Sequence, residues 1–256
     1  MVVLNEDAFI YVTSADGTDD SSNDDFQVIL NTPIILPEGV KYEVALIKLH
    51  YPAKILNIND GAISYYSPSR NKIRYNRIPS GFYDSPEKFI LAYKNMMGSD
   101  EEFYSLSYNE DSMLYLLNVK SGADNKQPWM QLSKNLVSFL ALPPKINRQG
   151  FHAGEPGKAD VTGGNSLMHI ETNLSGLVHI GNKMRPVIST VTFGCGQKAN
   201  NAIEYEPRNL IYCTVDSVLD IRSVSITILN DSFDEFPFVE GNVMAILHLR
   251  PSMPKI

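Results

Sequence analysis

Cysteine is nearly absent from this chain of 256 residues, which contains only Cys195 and Cys213. Two cysteines are too few for a disulfide framework, and neither has metal-ligand spacing with the five histidines. We therefore expect reduced thiols. Cys195 stands between Gly194 and Gly196, which could expose a nucleophile, but loop packing is the favoured interpretation because no other feature supports catalysis.

The chain also lacks a long apolar run. Its longest runs, such as 44–47 and 114–117, are far shorter than the roughly 20 residues that cross a bilayer. Residues 1–7 become acidic too early for a secretory signal, which needs a positive region before an apolar core. The sequence predicts no transmembrane segment and synthesis in the cytosol.

Basic residues are missing before Lys41, whereas eight of the 29 acidic residues lie there. The net charge of −7 therefore belongs to one end, and the remaining chain is nearly neutral. Clustered Lys and Arg supply most of the affinity of proteins for nucleic-acid phosphates. A chain without a basic stripe predicts no sequence-specific nucleic-acid binding.

The acidic loop between Asp16 and Asp25 is the one candidate for a cation-binding site in the sequence. Its Asp-Gly-Thr-Asp-Asp run resembles a calcium loop, because hard cations prefer clustered carboxylates around a glycine turn. It lacks the alternate acidic positions and the final bidentate Glu of an EF-hand. A solvated acidic loop is the favoured interpretation, and calcium binding stays open.

The histidines form no metal or catalytic pattern. His152, His169 and His179 lack the spacing of a single helix face, and no Cys or carboxylate pattern accompanies them. His50 and His248 fall in predicted strands, as satisfied sheet residues or polar groups of an interface. No glycine-rich loop follows a strand and opens a helix, as a phosphate site requires. We predict no catalytic residue, metal or cofactor.

Alternation of apolar and polar residues predicts about ten strands. Outside the segment described next, they cover residues 8–13, 26–30, 42–49, 63–66, 73–75, 167–171, 189–193, 210–215, 224–228 and 243–249. The last two appear as long antiparallel strands separated by a polar turn. Residues 145–165, poor in bulky apolar side chains, predict an exposed or partly disordered loop, and 194–201 a second polar loop.

One segment departs from the β pattern. Ser85 as N-cap, Pro86 at N1 and Gly98 as C-cap predict a helix that buries Phe89, Ala92, Tyr93, Met96 and Met97. A hairpin of 104–108 and 113–119 follows, and then Ser133 begins a short helix with a buried stripe of Leu136, Val137 and Leu140. The sequence predicts a mainly β fold, a single jelly-roll sandwich over residues 1–256 with a helix-hairpin-helix insertion at about 84–142.

Several phrases, in the same order over most of the chain, resemble the minor capsid (penton) proteins of Polinton (Maverick) elements, adintoviruses and virophages. They are FIYVTS at 9–14, YEVAL at 42–46, HYP at 50–52, IPSGFYDS at 78–85, the helix at 133–142, VSITI at 224–228, FPF at 236–238 and VMAILHLR at 243–250. Pro143 follows the second helix where the family has a glycine ending.

The resemblance implies a single jelly-roll protein that forms homopentamers at the five-fold vertices of an icosahedral capsid. It implies contact with the double jelly-roll major capsid protein, a place in the virion and no enzymatic turnover. Contact with a host receptor stays open.

Two other classes share the predicted fold. A receptor- or carbohydrate-binding jelly roll would use exposed tyrosines, such as Tyr65, Tyr66 or Tyr83, to stack sugars. An enzyme of the cupin type would need His and carboxylate ligands on facing strands, which the sequence does not display. Trp129, the only tryptophan, is expected to anchor the helix-hairpin-helix segment or to pack in its core.

Overall fold

The computed structural model describes residues 2–4, 6–18, 22–121, 127–160, 162–163, 165–193, 202–215 and 220–252. Within these residues the chain is mainly β, with nineteen strands and two α-helices. In chain order the elements are β1 Val2–Val3, β2 Ala8–Thr13, β3 Asp25–Ile35, β4 Tyr42–Pro52, β5 Gly61–Ser67, β6 Lys72–Ile78, α1 Pro86–Met97, β7 Tyr104–Asn109, β8 Leu114–Val119, β9 Met130–Leu132, α2 Lys134–Leu140, β10 Lys145–Ile146, β11 Gly150–Ala153, β12 Leu167–Thr172, β13 Val178–Ile180, β14 Lys183–Arg185, β15 Val187–Thr192, β16 Ala202–Tyr205, β17 Cys213–Thr214, β18 Asp220–Leu229 and β19 Met244–Pro251.

The chain forms two compact units. The first unit comprises Met1–Ile55 and Asn165–Ile256, and the second comprises Leu56–Gly164. The second unit is therefore continuous in sequence and interrupts the first between β4 and β12. The predicted helix-hairpin-helix segment at 84–142 lies inside the second unit, which extends beyond it on both sides.

Two five-stranded sheets build the first unit. Sheet A has the order β1-β3-β18-β12-β15, and sheet B has the order β16-β4-β19-β2 with the short β17 also paired to β4. All of these pairs are antiparallel except β1 with β3. The sheets face each other, since the ring of Tyr51 on β4 lies 6.1 Å from that of Phe193 after β15.

The core of the first unit follows from the alternation along its central strands. Every second residue of β18 (Val224, Ile226 and Ile228) and of β19 (Ala245, Leu247 and Leu249) is fully buried. In a strand successive side chains point to opposite faces, so this pattern places one face of each sheet against the core.

The last two strands predicted from the sequence are confirmed, but they do not pair with each other. β18 pairs with β3 and β12 in sheet A, whereas β19 pairs with β2 and β4 in sheet B. The intervening residues 230–243 cross from one sheet to the other. Hydrophobic alternation is satisfied equally by a hairpin partner or by distant strands, so it does not determine the partner.

The third strand is longer than the predicted 26–30, because it continues past Pro33. The register between β3 and β18 shifts between Ile221 and Ser223, whose partners are Ile34 and Ile29. Pro33 lies inside this irregularity, where its missing N–H removes no regular ladder bond.

In the second unit, one sheet has the order β10-β9-β5-β6 and the other β11-β8-β7. The predicted first helix is confirmed: Ser85 Oγ accepts a hydrogen bond from Lys88 N, Pro86 is the first residue, and Gly98 ends the helix with φ 58°. Phe89, Tyr93 and Met97 are buried. Ala92 and Met96, also predicted for the buried face, are half-buried and pack against the same core.

The predicted hairpin and second helix are also confirmed. Asn109 of β7 pairs with Leu114 of β8, and Asn109 Oδ1 accepts from Ser112 N at 2.9 Å within the turn. Ser133 caps α2. The buried residues of α2 are Leu136, Phe139 and Leu140, while Val137 is only half-buried. The buried face of α2 therefore includes Phe139 in place of the expected Val137.

The expectation of an exposed loop over 145–165 is wrong in part. Lys145–Ile146 pairs with β9, and Gly150–Ala153 pairs with β8 along four residues. Strands β9, β13, β14 and β16 were also missed, and the strand expected at 210–215 contracts to Cys213–Thr214. These strands have two to four residues, too few to display a period of two.

Candidate functional site

His248 lies on β19 within a cluster of aromatic and charged side chains. Its Nδ1 lies 2.8 Å from the Tyr212 hydroxyl, and its ring stacks on Phe9 at 4.9 Å between centroids. Asp7 Oδ2 lies 3.2 Å from its Nε2, and the Arg250 guanidinium lies 3.4 Å from the centre of the Tyr212 ring. The cluster ties the edge strand β2 to the centre of sheet B.

His50 and His152 also have local partners. His50 Nδ1 lies 3.7 Å from Glu204, and His152 Nε2 lies 3.0 Å from the Arg148 carbonyl oxygen. Among the residues that the structure describes, no three His, Cys, Asp or Glu side chains converge as a metal ion would require.

His169 occupies the outer face of sheet A beneath Phe233. It is 7% exposed, its Nδ1 lies 3.1 Å from Thr190 Oγ1, and its ring stacks on Phe233 at 4.8 Å. Lys183 Nζ and the Arg185 guanidinium lie 4.6 Å and 4.9 Å from the centre of the Phe233 ring. Burial lowers the pKa of His169 below its ordinary value of 6.5, and the nearby cation Arg185 lowers it further, against opposite effects of Asp231 and Glu171.

This lowered pKa predicts a loss of stability on acidification. The unfolded chain binds a proton at His169 near pH 6.5, whereas the native chain binds that proton only at a lower pH. The contribution of neutral His169 to the free energy of unfolding is therefore complete above pH 6.5 and is lost as the pH falls through the native pKa. We expect the urea midpoint to fall between pH 7.5 and 5.5, and His169→Gln to reduce that fall. His179→Gln, at an exposed histidine of the same unit, should behave as wild type. Equal pH dependence of wild type and His169→Gln would contradict this prediction.

Two regions considered from the sequence are described only in part or not at all. Cys195 and the loop 194–201 lie outside the described residues, as do Asp19 and Asp20 of the acidic loop. The calcium interpretation of that loop therefore stays a hypothesis. Cys213 is buried, and its Sγ contacts the Val187 carbonyl oxygen at 3.8 Å, which ties β17 to β15.

The tyrosines considered as a sugar platform are largely engaged in packing. Tyr65 is fully buried, and the Tyr83 hydroxyl donates to the Pro79 carbonyl at 2.7 Å while its ring contacts Phe89 edge-on at 5.4 Å. Trp129 is half-buried, and its carbonyl oxygen accepts from Tyr66 N at 2.9 Å. These residues anchor the second unit and do not present a free stack of aromatic faces.

A groove of about 360 Å³ opens along one lateral edge of the first unit. It lies between β15 of sheet A and the strands β4, β16 and β17 of sheet B. We call it the lateral groove, and its apolar lining comprises Leu46, Val178, Ile180, Ile188, Ile211 and Cys213.

The pairing of β4 explains the groove. β17 pairs with β4 at residues 43–44 and β16 pairs at residues 49–52, so neither strand covers residues 45–48. The chain between them bulges outward and leaves Ile211 70% exposed. Sequence reasoning missed the groove because its walls come from distant strands that share no local pattern.

The opposite lateral edge carries exposed aromatic side chains. Strand β2 is the last strand of sheet B on that side, and its outward residues Phe9 and Tyr11 are 59% and 66% exposed. Both side chains point to the outer face of sheet B, because the alternate residues Ile10 and Val12 are buried. We call Phe9 and Tyr11 the β2 edge. Neighbouring exposed apolar side chains of this kind mark interaction surfaces in soluble proteins.

No family model and no curated protein matches the chain. Among solved structures, the crystal structure of the selenomethionine-labelled mavirus penton protein aligns with a TM-score of 0.51 at 10% sequence identity, covering 96% of this chain and 100% of that one. The chain has a penton-like fold. The resemblance seen in the sequence is thus confirmed at the level of the fold. A chain from the cryo-EM structure of the Sputnik virophage aligns with a TM-score of 0.49 at 11% identity, covering 97% of this chain and 98% of that one.

Within the described part of this penton-like chain, no helix is long and apolar enough to cross a membrane.

Proposed function

We propose that the chain is a penton, the minor capsid protein that forms homopentamers at the five-fold vertices of an icosahedral virion. The observation that carries this proposal is the alignment with the mavirus penton protein over its whole length. An alignment of that extent includes both units, so the likeness is not limited to a common β-sheet core. The role is structural, with no turnover.

We also propose that the first unit is a single jelly roll. Its eight longer strands, taken in chain order as β2, β3, β4, β12, β15, β16, β18 and β19, stand in the orders 1-8-3-6 in sheet B and 2-7-4-5 in sheet A. Most consecutive strands therefore lie in different sheets and pair with strands distant in sequence. That arrangement supports two Greek keys wrapped around one core.

In this proposal the chain is one jelly-roll domain with an insertion. The second unit leaves the first after β4 and returns before β12, which is the sequence relation expected of an insertion. The predicted helix-hairpin-helix segment is then the helical part of a larger insertion.

The partners follow from the proposed role. Copies of the chain contact one another around the vertex, and the double jelly-roll major capsid protein surrounds them. The protein is made in the host cytoplasm and ends in the virion. A five-fold ring needs heterologous contacts that close by rotation, and the two lateral edges of a sandwich offer different surfaces for such contacts.

Native mass spectrometry and negative-stain electron microscopy of the purified chain test this proposal. We expect a species of five times the 28.6 kDa protomer mass and a ring of five lobes. A monomer at all concentrations up to about 100 µM would count against the penton assignment, since five-fold contacts are then too weak to hold a ring. A stable monomer that binds immobilised glycans would favour a carbohydrate-binding jelly roll instead.

A further inference from the structure

We propose that the lateral groove of one copy receives the β2 edge of the next copy, so that the pentamer is held by this head-to-tail contact. The inference rests on the proposed penton function and names the surfaces that would build its ring. The occupant of the groove is a second copy of this chain.

The strand orders place the two surfaces on opposite flanks of the first unit. On one side β2 ends sheet B and β1, next to β3, ends sheet A, and on the other side β16 and β15 end the two sheets. A ring built by rotation needs two different patches on separate flanks, each complementary to the other. The β2 edge and the lateral groove satisfy that requirement.

Each of the two flanks carries exposed apolar residues. Phe9 and Tyr11 lie on one flank, and Ile211 lies at the groove with Leu210, which is 41% exposed. The groove has a volume of about 360 Å³, and aromatic residues are the preferred anchors for pockets of protein interfaces. Phe9 and Tyr11 project from the same face of β2 two residues apart, so both can enter one groove.

The β2 flank is acidic, whereas the groove flank carries two cations, Lys48 and Arg208, beside two carboxylates. Carboxylates at Glu6, Asp7 and Asp16 flank β2, where no basic residue precedes Lys41 in the sequence. Beside the groove, Arg208 follows the lining residue Pro207. In the described chain no carboxylate lies within 4.0 Å of Arg208, whereas Glu204 and Glu206 are held by Lys48.

Docking of β2 into a neighbouring copy would also cover an exposed edge of sheet B. A strand at the end of a sheet presents unpaired backbone groups and is a site of uncontrolled association. β2 has six residues and carries two exposed aromatic side chains, features that natural edge strands usually avoid. Docking into a neighbouring copy would bury both.

The test uses one charged substitution on each flank of the full-length chain. Tyr11→Glu and Ile211→Glu alter side chains that are 66% and 70% exposed, so both variants should fold. Each should raise the dissociation constant of the ring contact by roughly 30-fold or more, the effect of a hot-spot substitution. Val239→Glu, at a residue 44% exposed in the turn before β19, is the matched control and should form the ring. Unchanged thermal unfolding of the variants verifies the fold.

Mixing the two variants tests the head-to-tail geometry. The Tyr11→Glu copy keeps an intact groove and the Ile211→Glu copy keeps an intact β2 edge, so one contact can form between them but no second one. We expect heterodimers in the mixture and monomers of each variant alone.

The outcomes separate this contact from the penton function. A wild-type pentamer that persists in both variants overturns the contact and leaves the penton function standing. Variants that dissociate, together with heterodimers in the mixture, support both. A wild-type chain that forms no ring counts against the penton function itself, and with it the contact.

Discussion

Replacing Phe89 by alanine should destabilise the second unit by about 3–5 kcal/mol, the range measured for large aromatic residues removed from a core. Phe89 is fully buried on α1. Its ring lies 4.8 Å from that of Phe139 on α2, 5.8 Å from that of Tyr115 on β8 and 5.4 Å from that of Tyr83. Phe139 and Tyr115 also contact each other at 5.8 Å, so the substitution removes one ring of a three-ring cluster that joins α1, α2 and the hairpin.

Urea unfolding followed by circular dichroism measures this loss, and limited proteolysis identifies where the chain opens. We expect cleavage within 56–164 at lower urea concentrations than in wild type. Leu91→Ala on the same helix, where the side chain is 60% exposed, should change the free energy of unfolding by less than about 0.5 kcal/mol. Similar losses in both variants would contradict the role of the aromatic cluster, because alanine is the better helix former at both positions.

Replacing Asp100 by alanine should cost about 3–5 kcal/mol for a different reason. Asp100 is fully buried, and its carboxylate accepts hydrogen bonds from Tyr65 Oη at 3.1 Å, Ser67 Oγ at 2.6 Å and Ser69 N at 3.2 Å. Alanine leaves these donors without their acceptor inside the protein, and each unsatisfied buried donor costs about 1–3 kcal/mol. Chemical denaturation at pH 7 measures the loss. Glu102→Gln, at an exposed carboxylate nearby, should leave the unfolding curve unchanged.

Asp100 also predicts a pH dependence. Burial raises the pKa of its carboxyl group, but the hydrogen bonds from Ser67, Ser69 and Tyr65 lower it more, and the net pKa lies below the ordinary 3.8. The native chain therefore keeps the carboxylate at a pH where the unfolded chain binds a proton. This stability is complete above pH 3.8 and is lost as the pH falls through the native pKa. Asp100→Asn should reduce the fall in stability between pH 5 and 3, and an unchanged fall would contradict the role of this carboxylate.

Local signals made part of the fold predictable. Ser85, Pro86 and Gly98 define α1 because a cap, a fixed φ and a left-handed terminus are set by the residues themselves. The alternation over 243–249 identified β19 because half of its residues are buried against one core. Those signals depend on neighbours within a few positions, so they are visible in the sequence.

Long-range features were not predictable in the same way. The lateral groove depends on Leu46, Ile188 and Ile211, which lie on three separate segments, and no local period relates them. Asp100 appears in the sequence as one of several acids after α1. Only the fold shows that Tyr65 and Ser67 reach it from β5.

The sequence positions of the central strands set an order of events during synthesis. β18 and β19 begin at Asp220 and Met244, while three of their four partners, β2, β3 and β4, precede residue 53. On a ribosome, which delivers the N-terminus first, β2, β3 and β4 are made before the strands β18 and β19 that pair with them in the two sheets. The continuous stretch from Leu56 to Gly164 can fold in the meantime. A nascent chain cut short before β19 therefore lacks the described partner strand of β2, and sheet B is completed on that side only when the last strand has been made.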